Sequence, residues 1–278
     1  MKHPNRNRWI AYPAAAAFVL MLLLAAKLRT EGEPELGTLI NGADILAKVG
    51  AHDKAIQECE KVLERDPGNL QAHLILAFAH DRLSNYEDSL RSYDRALALC
   101  EEEELGRDIH LAIADLHRKH ERFHAAADKT REIEQRYGCS PDVTLVHALA
   151  VEKMGDVDEA ANLLSRSVVD HPEDKRSRFH LGRVCLEHGR LVEAEEAFES
   201  LSEEPGAPYG AWYQLAVTRA WLGRDTAMYE ALEQAAQSYP ALTTKSILEE
   251  DAFADFHGHP RFEDYLGRLF ETTSRADT

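Results

Sequence analysis

The chain has 278 residues, and its 49 aspartates and glutamates outnumber its 32 lysines and arginines, which gives a formal net charge of −17 at pH 7. Nucleic acids are held mainly by basic side chains that neutralise phosphates, so this balance excludes nucleic acid as a partner. For the same reason the acidic body of the chain is not expected to lie against anionic lipid.

The first 26 residues differ in composition from the rest of the chain. Residues 1–8 carry three basic and no acidic side chains, and residues 9–26 are uncharged. An uncharged run of this length lies at the short end of what crosses a bilayer as a helix. We therefore predict a basic cytoplasmic leader at 1–8, one transmembrane signal anchor at 9–26, which docks the chain in the inner membrane, and a linker at 27–35.

A cleaved secretory signal has the same layout and is the alternative. Cleavage prefers small residues at the last and third-last positions; Ala26 fits this rule and Leu24 does not, which favours an uncleaved anchor. The positive-inside rule places the N-terminus in the cytoplasm. The remaining chain would then be extracytoplasmic, in the periplasm of a Gram-negative host, or secreted if the segment is cleaved.

Glycines then mark a regular repeat. Gly155, Gly189 and Gly223 follow one another at intervals of 34 residues, a period typical of helical repeat arrays. With this period, residues 36–242 divide into six units, and only residues 104–106 are left over. The predicted units are 36–69, 70–103, 107–140, 141–174, 175–208 and 209–242.

The fifth unit shows the pattern most clearly, with Leu181, Gly182, Gly189, Ala194 and Phe198 at its key positions. In this pattern the chain resembles the tetratricopeptide repeat family. The resemblance implies an all-α fold, a right-handed superhelical solenoid of about six helix-turn-helix repeats, whose function is to bind other proteins. Gly182 is expected to be small because the two helices of its repeat must approach closely.

The C-terminal region continues the helical pattern beyond the last repeat. We predict a capping helix pair within residues 243–270, at Ile247–Phe256 and Arg261–Phe270, followed by a disordered polar tail at 271–278. A cap of this kind covers the apolar face that the last repeat of a solenoid would otherwise expose.

The resemblance also implies where a partner binds, because in this family the first helix of each repeat lines the concave face. Two columns of residues on these helices form a largely apolar strip that suits an extended peptide or a helix of a partner protein. The alternative is that one column is packed into the fold. The predicted binding residues are Ile40, Leu74, Phe78, Leu111, Leu145, Leu149, Phe179, Arg183, Tyr213 and Trp221.

No pattern of catalytic or cofactor-binding residues is present, so we predict neither an enzyme nor a bound cofactor. His117, His120 and His124 have the spacing of ligands on one helix face, which would suit a metal such as zinc. The repeat pattern places a turn near residues 121–123, however, and so assigns His124 to the next helix. We therefore predict no metal site.

These observations predict a membrane-anchored scaffold or adaptor that binds a protein partner, in envelope assembly or maturation. The alternative is a structural module that associates with itself into a homo-oligomer. A metal-binding envelope protein is a third, less favoured hypothesis.

Overall fold

A computed structural model of the chain describes residues 35–204, 207, 209–238 and 240–276. Throughout these residues the fold consists of helices, and they contain no strand. The chain divides into two units at Leu83 and Ser84. The first unit contains three helices, α1 (Leu36–Lys48), α2 (His52–Arg65) and α3 (Leu70–Arg82).

The second unit continues as helical hairpins and ends in a cap. Its elements are α4 (Tyr86–Leu99), α5 (Glu103–Lys119), α6 (Phe123–Tyr137), α7 (Pro141–Lys153), α8 (Val157–Asp170), α9 (Lys175–Glu187), α10 (Leu191–Ser202), α11 (Tyr209–Trp221), α12 (Asp225–Ser238), α13 (Pro240–Glu249), a 3₁₀ helix (Asp251–Phe256) and α14 (Pro260–Ala276). Within this unit α5 packs on α6, α7 on α8, α9 on α10 and α11 on α12, as the predicted helix-turn-helix repeats require.

Short polar side chains begin several of the first helices. Asn69, Ser140 and Asp174 each accept a hydrogen bond from the backbone N–H three residues later. Such a bond satisfies one of the N–H groups that the first turn of a helix leaves without a partner. These caps fix where the first helix of the second, fourth and fifth repeats begins.

The 34-residue period has its physical cause in the turn between the two helices of a repeat. Gly155, Gly189 and Gly223 have φ values of 94°, 75° and 67°, a left-handed conformation that glycine adopts without steric cost. The second and third repeats lack a glycine here, and Ser84 (φ 61°) and Glu121 (φ 59°) take the same conformation. The weak glycine signal of these two repeats therefore does not reflect a different turn.

The third repeat differs from the prediction at its start. Helix α5 begins at Glu103 and has 17 residues, so residues 104–106 belong to a longer first helix and do not form a gap. Glu103 and Glu104 lie in its first turn, where acidic side chains interact favourably with the helix dipole. The repeat period is restored at Phe123, where α6 begins.

Close packing between α9 and α10 depends on one small residue. A Cβ atom added to Gly182 would lie 2.8 Å from two ring carbons of Phe198, whose side chain is completely buried. The expectation that Gly182 allows the two helices of its repeat to approach is therefore met by direct contact with an aromatic ring.

The C-terminal cap is built around aromatic side chains. The rings of Phe253 and Phe262 are stacked with centroids 6.3 Å apart, and Phe253 also contacts Tyr213 of the last repeat. Pro240 is the first residue of α13, where a proline costs little. Helix α14 continues to Ala276, past the predicted end of the cap at residue 270.

The predicted leader (1–8), anchor (9–26) and all but the last residue of the linker (27–35) lie outside the described residues. None of the helices within the described ranges combines the length and the apolar composition that a bilayer crossing requires.

Candidate functional site

An open groove of about 600 Å³ lies in the second unit, at the end of the last two repeats. Two first helices, α9 and α11, supply most of its lining, and the turn after α9, the first residue of α10 and the residue after α13 complete it. The lining residues are Arg183, Leu186, Glu187, Gly189, Leu191, Gln214, Val217, Trp221 and Glu250.

The ends of three helices meet at this groove. Glu187 is the last residue of α9, Trp221 is the last residue of α11, and Glu250 directly follows the end of α13. A helix carries about half a negative charge at its C-terminus. These three ends place partial negative charge at the groove, while α10, which begins at the lining residue Leu191, places one positive helix end there.

Arg183 lines the groove and also binds a buried carboxylate. Its guanidinium donates to Glu152 at 2.9 Å and to Glu187 at 2.5 Å, and the side chain of Glu152 is only 1% exposed. Burial by itself would lower the pKa of Arg183, but the hydrogen bonds to the two carboxylates outweigh it and raise that pKa. Arg183 is therefore held in place as a permanent cation.

Glu187 remains ionised for the corresponding reason. Burial would raise the pKa of Glu187, but the hydrogen bond and the charge of Arg183 outweigh this effect and lower it. Its side chain is 44% exposed, so the carboxylate is also open to a ligand in the groove.

Part of the groove is apolar. Leu186, Leu191 and Val217 contribute to its lining, although Val217 is only 3% exposed, and Trp221 leaves 53% of its surface exposed. Tryptophan and arginine are among the residue types enriched at the energetic centre of protein interfaces. The arrangement can hold an apolar side chain and a polar or charged group together.

Two of the predicted binding residues, Arg183 and Trp221, thus lie in one groove. Tyr213 does not join them, because it is only 7% exposed and packs against Phe253 of the cap. Phe179 contacts Phe198 with ring centroids 5.7 Å apart and is partly buried in the same core. Tyr213 and Phe179 therefore have packing roles, and we leave them out of the candidate surface.

The other predicted residues lie on the first helices of earlier repeats. In the first unit, Ile40 and Leu74 are half-buried, whereas Phe78 is 41% exposed and lies edge-on to the ring of His52. In the second unit three leucines are half-buried beside the core, and none of them lines the groove; they are Leu111, Leu145 and Leu149.

The sequence analysis did not find Glu187, Gln214 or Glu250. The position of Glu187, four residues after Arg183 on one helix, was the available signal, since charges of opposite sign at this spacing lie side by side. Glu250 gave no such signal, because it reaches the groove only through the fold of the cap.

One group of side chains has the chemistry of a cation site. Possible ligand atoms of Glu152, Glu187 and His188 lie within 4.8 Å of one another. Arg183 already bonds both carboxylates, so a metal ion would have to displace its guanidinium. The histidines with metal-ligand spacing in the sequence do not share one helix. His117 Nδ1 lies 2.9 Å from the Tyr86 hydroxyl, and His124 is exposed on the next helix.

A second charged network stabilises the last repeat away from the groove. Glu195, whose side chain is 7% exposed, pairs with Arg219 at 3.1 Å and also with Arg224. Arg219 is itself 11% exposed, while Arg224 is 52% exposed. The buried carboxylate therefore depends mainly on Arg219 for compensation of its charge.

The cysteines differ sharply in accessibility. Burial raises the pKa of Cys59 to about 12 and that of Cys185 to about 11, which suppresses the reactive thiolate. Cys139 is exposed and Cys100 is half-buried. Cys139 is therefore the most accessible of these four thiols.

The fold and the groove define a helical-repeat protein with a surface suited to binding. The tetratricopeptide repeat family model matches residues 41–104 and 145–208. This match and the solved structures that share the fold support the tetratricopeptide repeat family, as the sequence pattern predicts. No protein of curated function matches the chain by sequence.

Three solved structures illustrate the similarity. PilW, a widely conserved type IV pilus biogenesis factor, is 18% identical with a TM-score of 0.59, over 76% of this chain and 96% of that one. Pseudomonas aeruginosa pilF is 16% identical with a TM-score of 0.57, over 78% and 97%. A tetratricopeptide repeat protein of Parabacteroides merdae is 15% identical with a TM-score of 0.60, over 89% of both. Identities this low show the shared fold alone.

Proposed function

We propose that this protein is a membrane-anchored scaffold that binds a peptide or helix of a partner protein in the groove beside Arg183 and Trp221. The observation that carries the proposal is the combination of a half-exposed tryptophan, an apolar wall and a fixed arginine in one open groove. Aromatic residues and arginine supply most of the binding energy in protein interfaces. The groove lies on first helices, the face that the family resemblance indicates for partners.

The membrane location is part of the proposal. It is supported by the basic residues of 1–8 followed by the uncharged run 9–26, and it puts the repeats on the outer side of the inner membrane. PilW, which shares the fold, is a pilus biogenesis factor, and an assembly role in the envelope is the corresponding proposal for this chain.

Site-specific photo-crosslinking tests the binding proposal. A photoreactive phenylalanine analogue placed at Trp221 in the native host should give an adduct of defined mass with a partner protein. The matched control places the same analogue at Val169, which is 78% exposed on α8 and does not line the groove. The partner should appear at Trp221 and not at Val169.

Two results would contradict the scaffold proposal. One is an identical set of adducts at the two positions, which would mean that the groove has no preferred ligand. The other is an adduct at Trp221 with the mass of two copies of this chain, which would favour self-association. A Trp221→Ala variant that still captures the partner from detergent-solubilised membranes would also remove the groove from the binding surface.

Thiol labelling tests the location separately. In spheroplasts of the native host, a membrane-impermeant maleimide should label the exposed Cys139, and a Cys139→Ser variant should lose that label. Labelling of Cys139 only after lysis would place the repeats inside the cytoplasm. Deletion of residues 1–26 should release the protein from washed membranes, and retention after the deletion would contradict the anchor.

A further inference from the structure

We infer that the groove selects a partner segment that carries a lysine or arginine beside an apolar residue. The inference rests on the proposed function and adds the chemistry of the ligand. The basic group would lie between Glu187 and Glu250, against the indole of Trp221, and its apolar neighbour would contact Leu186 and Leu191.

Side-chain charge in and behind the groove favours a cation. Glu152, Glu187 and Glu250 supply three carboxylates, and Arg183 and Lys153 offset two of them, with Lys153 Nζ 3.9 Å from Glu152. Within the described ranges the carboxylate of Glu250 has no hydrogen bond or ion pair. One uncompensated negative charge is therefore left at the groove.

The backbone adds to this charge. The helices α9, α11 and α13 all end at the groove, at Glu187, at Trp221 and directly before Glu250. Cations near a helix C-terminus are stabilised by the dipole, whereas anions are repelled. These three C-terminal ends act in the same direction as the uncompensated carboxylate, and the single N-terminal end at the groove, that of α10 at Leu191, opposes only one of them.

The shape of the lining explains why the cation should have an apolar neighbour. Trp221 offers an exposed ring face, and a lysine or arginine over such a face gains a cation–π interaction. Leu186, Leu191 and Val217 form the adjoining surface, which gains nothing from a second charge. A partner that ends in a free carboxylate would be repelled here, which distinguishes this groove from one built to grip an acidic chain end.

Fluorine NMR of the full chain in detergent tests the inference. The chain has three tryptophans, so incorporation of 5-fluorotryptophan gives few signals, and a Trp221→Phe variant assigns the one in the groove. The probe is an acetylated and amidated Gly-Ser-Leu-Arg-Leu-Ser-Gly peptide. The matched control replaces its arginine by citrulline, which has nearly the same shape and no charge.

The arginine peptide should shift the Trp221 signal and leave that of Trp212 unchanged. Its affinity at low salt should exceed that of the citrulline peptide about tenfold, from one ion pair and one cation–π contact. The preference should fall as salt is added. Glu250→Gln should reduce it about threefold, whereas Glu196→Gln, at an exposed position outside the groove, should leave it unchanged.

Three outcomes would overturn the inference: equal affinities for the two peptides, an unchanged preference in Glu250→Gln, or no shift at Trp221 up to about 10 mM peptide. The scaffold proposal can fail independently. If photo-crosslinking at Trp221 captures a partner but the arginine preference is missing, the scaffold proposal stands and only the selection of a basic segment is wrong.

Discussion

Replacement of Gly182 by alanine tests the tight contact between α9 and α10. The new Cβ would lie 2.8 Å from Cε1 and Cζ of Phe198 and 3.0 Å from its Cδ1. The Phe198 ring is fully buried and packs against Phe179. The ring is therefore enclosed by other side chains, and either the ring or the α9 backbone must move.

The size of the effect follows from two opposing contributions. Ordinary van der Waals contact begins at 3.4 Å, so the ring must retreat by 3.4 minus 2.8, or roughly 0.6 Å. Overpacking of this kind costs about 1–3 kcal/mol, and the fixed ring puts Gly182→Ala near the upper end. Alanine is more favourable than glycine in a helix interior by about 1 kcal/mol, which offsets part of this cost. We expect a net loss of about 2 kcal/mol and a fall of about 4–8 °C in Tm.

Urea unfolding followed by far-UV circular dichroism measures this loss. The control is Gly267→Ala in α14, where an added Cβ meets no atom within 4 Å and should stabilise the protein by up to about 1 kcal/mol. A Gly182→Ala, Phe198→Leu double variant should recover part of the loss, because the smaller side chain makes room for the methyl group. The packing argument is refuted if Gly182→Ala is as stable as the wild type, or if Phe198→Leu gives no relief.

Four further substitutions probe the turns, the charges and the histidines. Glu121→Gly should stabilise the protein by about 1 kcal/mol in urea unfolding, since glycine removes the cost of a left-handed residue; no gain would mean that the turn is unstrained. Arg219→Met should cost about 2–3 kcal/mol because it leaves the buried Glu195 poorly compensated, whereas Arg224→Met, at an exposed site, should cost about 1 kcal/mol or less; equal costs would contradict this. Burial, and then nearby cations, lower the pKa of His117 from 6.5, so its stabilising contribution is present above about pH 6.5 and is lost as the pH falls through the folded value. The fall in Tm between about pH 7.5 and 5.5 should therefore be smaller in His117→Gln than in the wild type, and an identical pH dependence would exclude His117 as a cause.

Much of the helical pattern could be predicted from the sequence, because the residues that determine the helices of a repeat lie within that repeat. Apolar periodicity, and the turn glycine in the repeats that have one, indicate the helix boundaries without reference to distant residues. The prediction was weakest in the third repeat, where Glu121 replaces the turn glycine and α5 is longer than its counterparts. In that repeat the residue type gives no signal for the left-handed turn that Glu121 adopts.

The binding surface was harder to predict because the same face of the first helices both packs against neighbouring helices and lines the groove. Tyr213 and Phe179 belong to the predicted apolar strip, yet the neighbouring cap and second helix cover them. Glu250 belongs to no repeat and joins the groove only because α13 ends there. The sequence therefore predicts on which side of a helix a residue lies, but not how far neighbouring elements bury its side chain.

The two columns differ in a way that explains this outcome. One column holds apolar residues in every repeat, and each of these side chains is half-buried or buried; they are Ile40, Leu74, Leu111, Leu145, Phe179 and Tyr213. The other column changes in character from repeat to repeat, through Asp44, Phe78, Asp115, Leu149, Arg183 and Val217. A position that every repeat fills with an apolar residue satisfies the needs of stacking, which are the same in each repeat. A position that varies is not held to one residue type by stacking: Val217 is buried, whereas Phe78 is 41% exposed and Arg183 lines the groove. The constant column therefore serves the stability of the repeats, and the ligand binding that we propose depends on Arg183 of the variable column together with Trp221, which belongs to neither column.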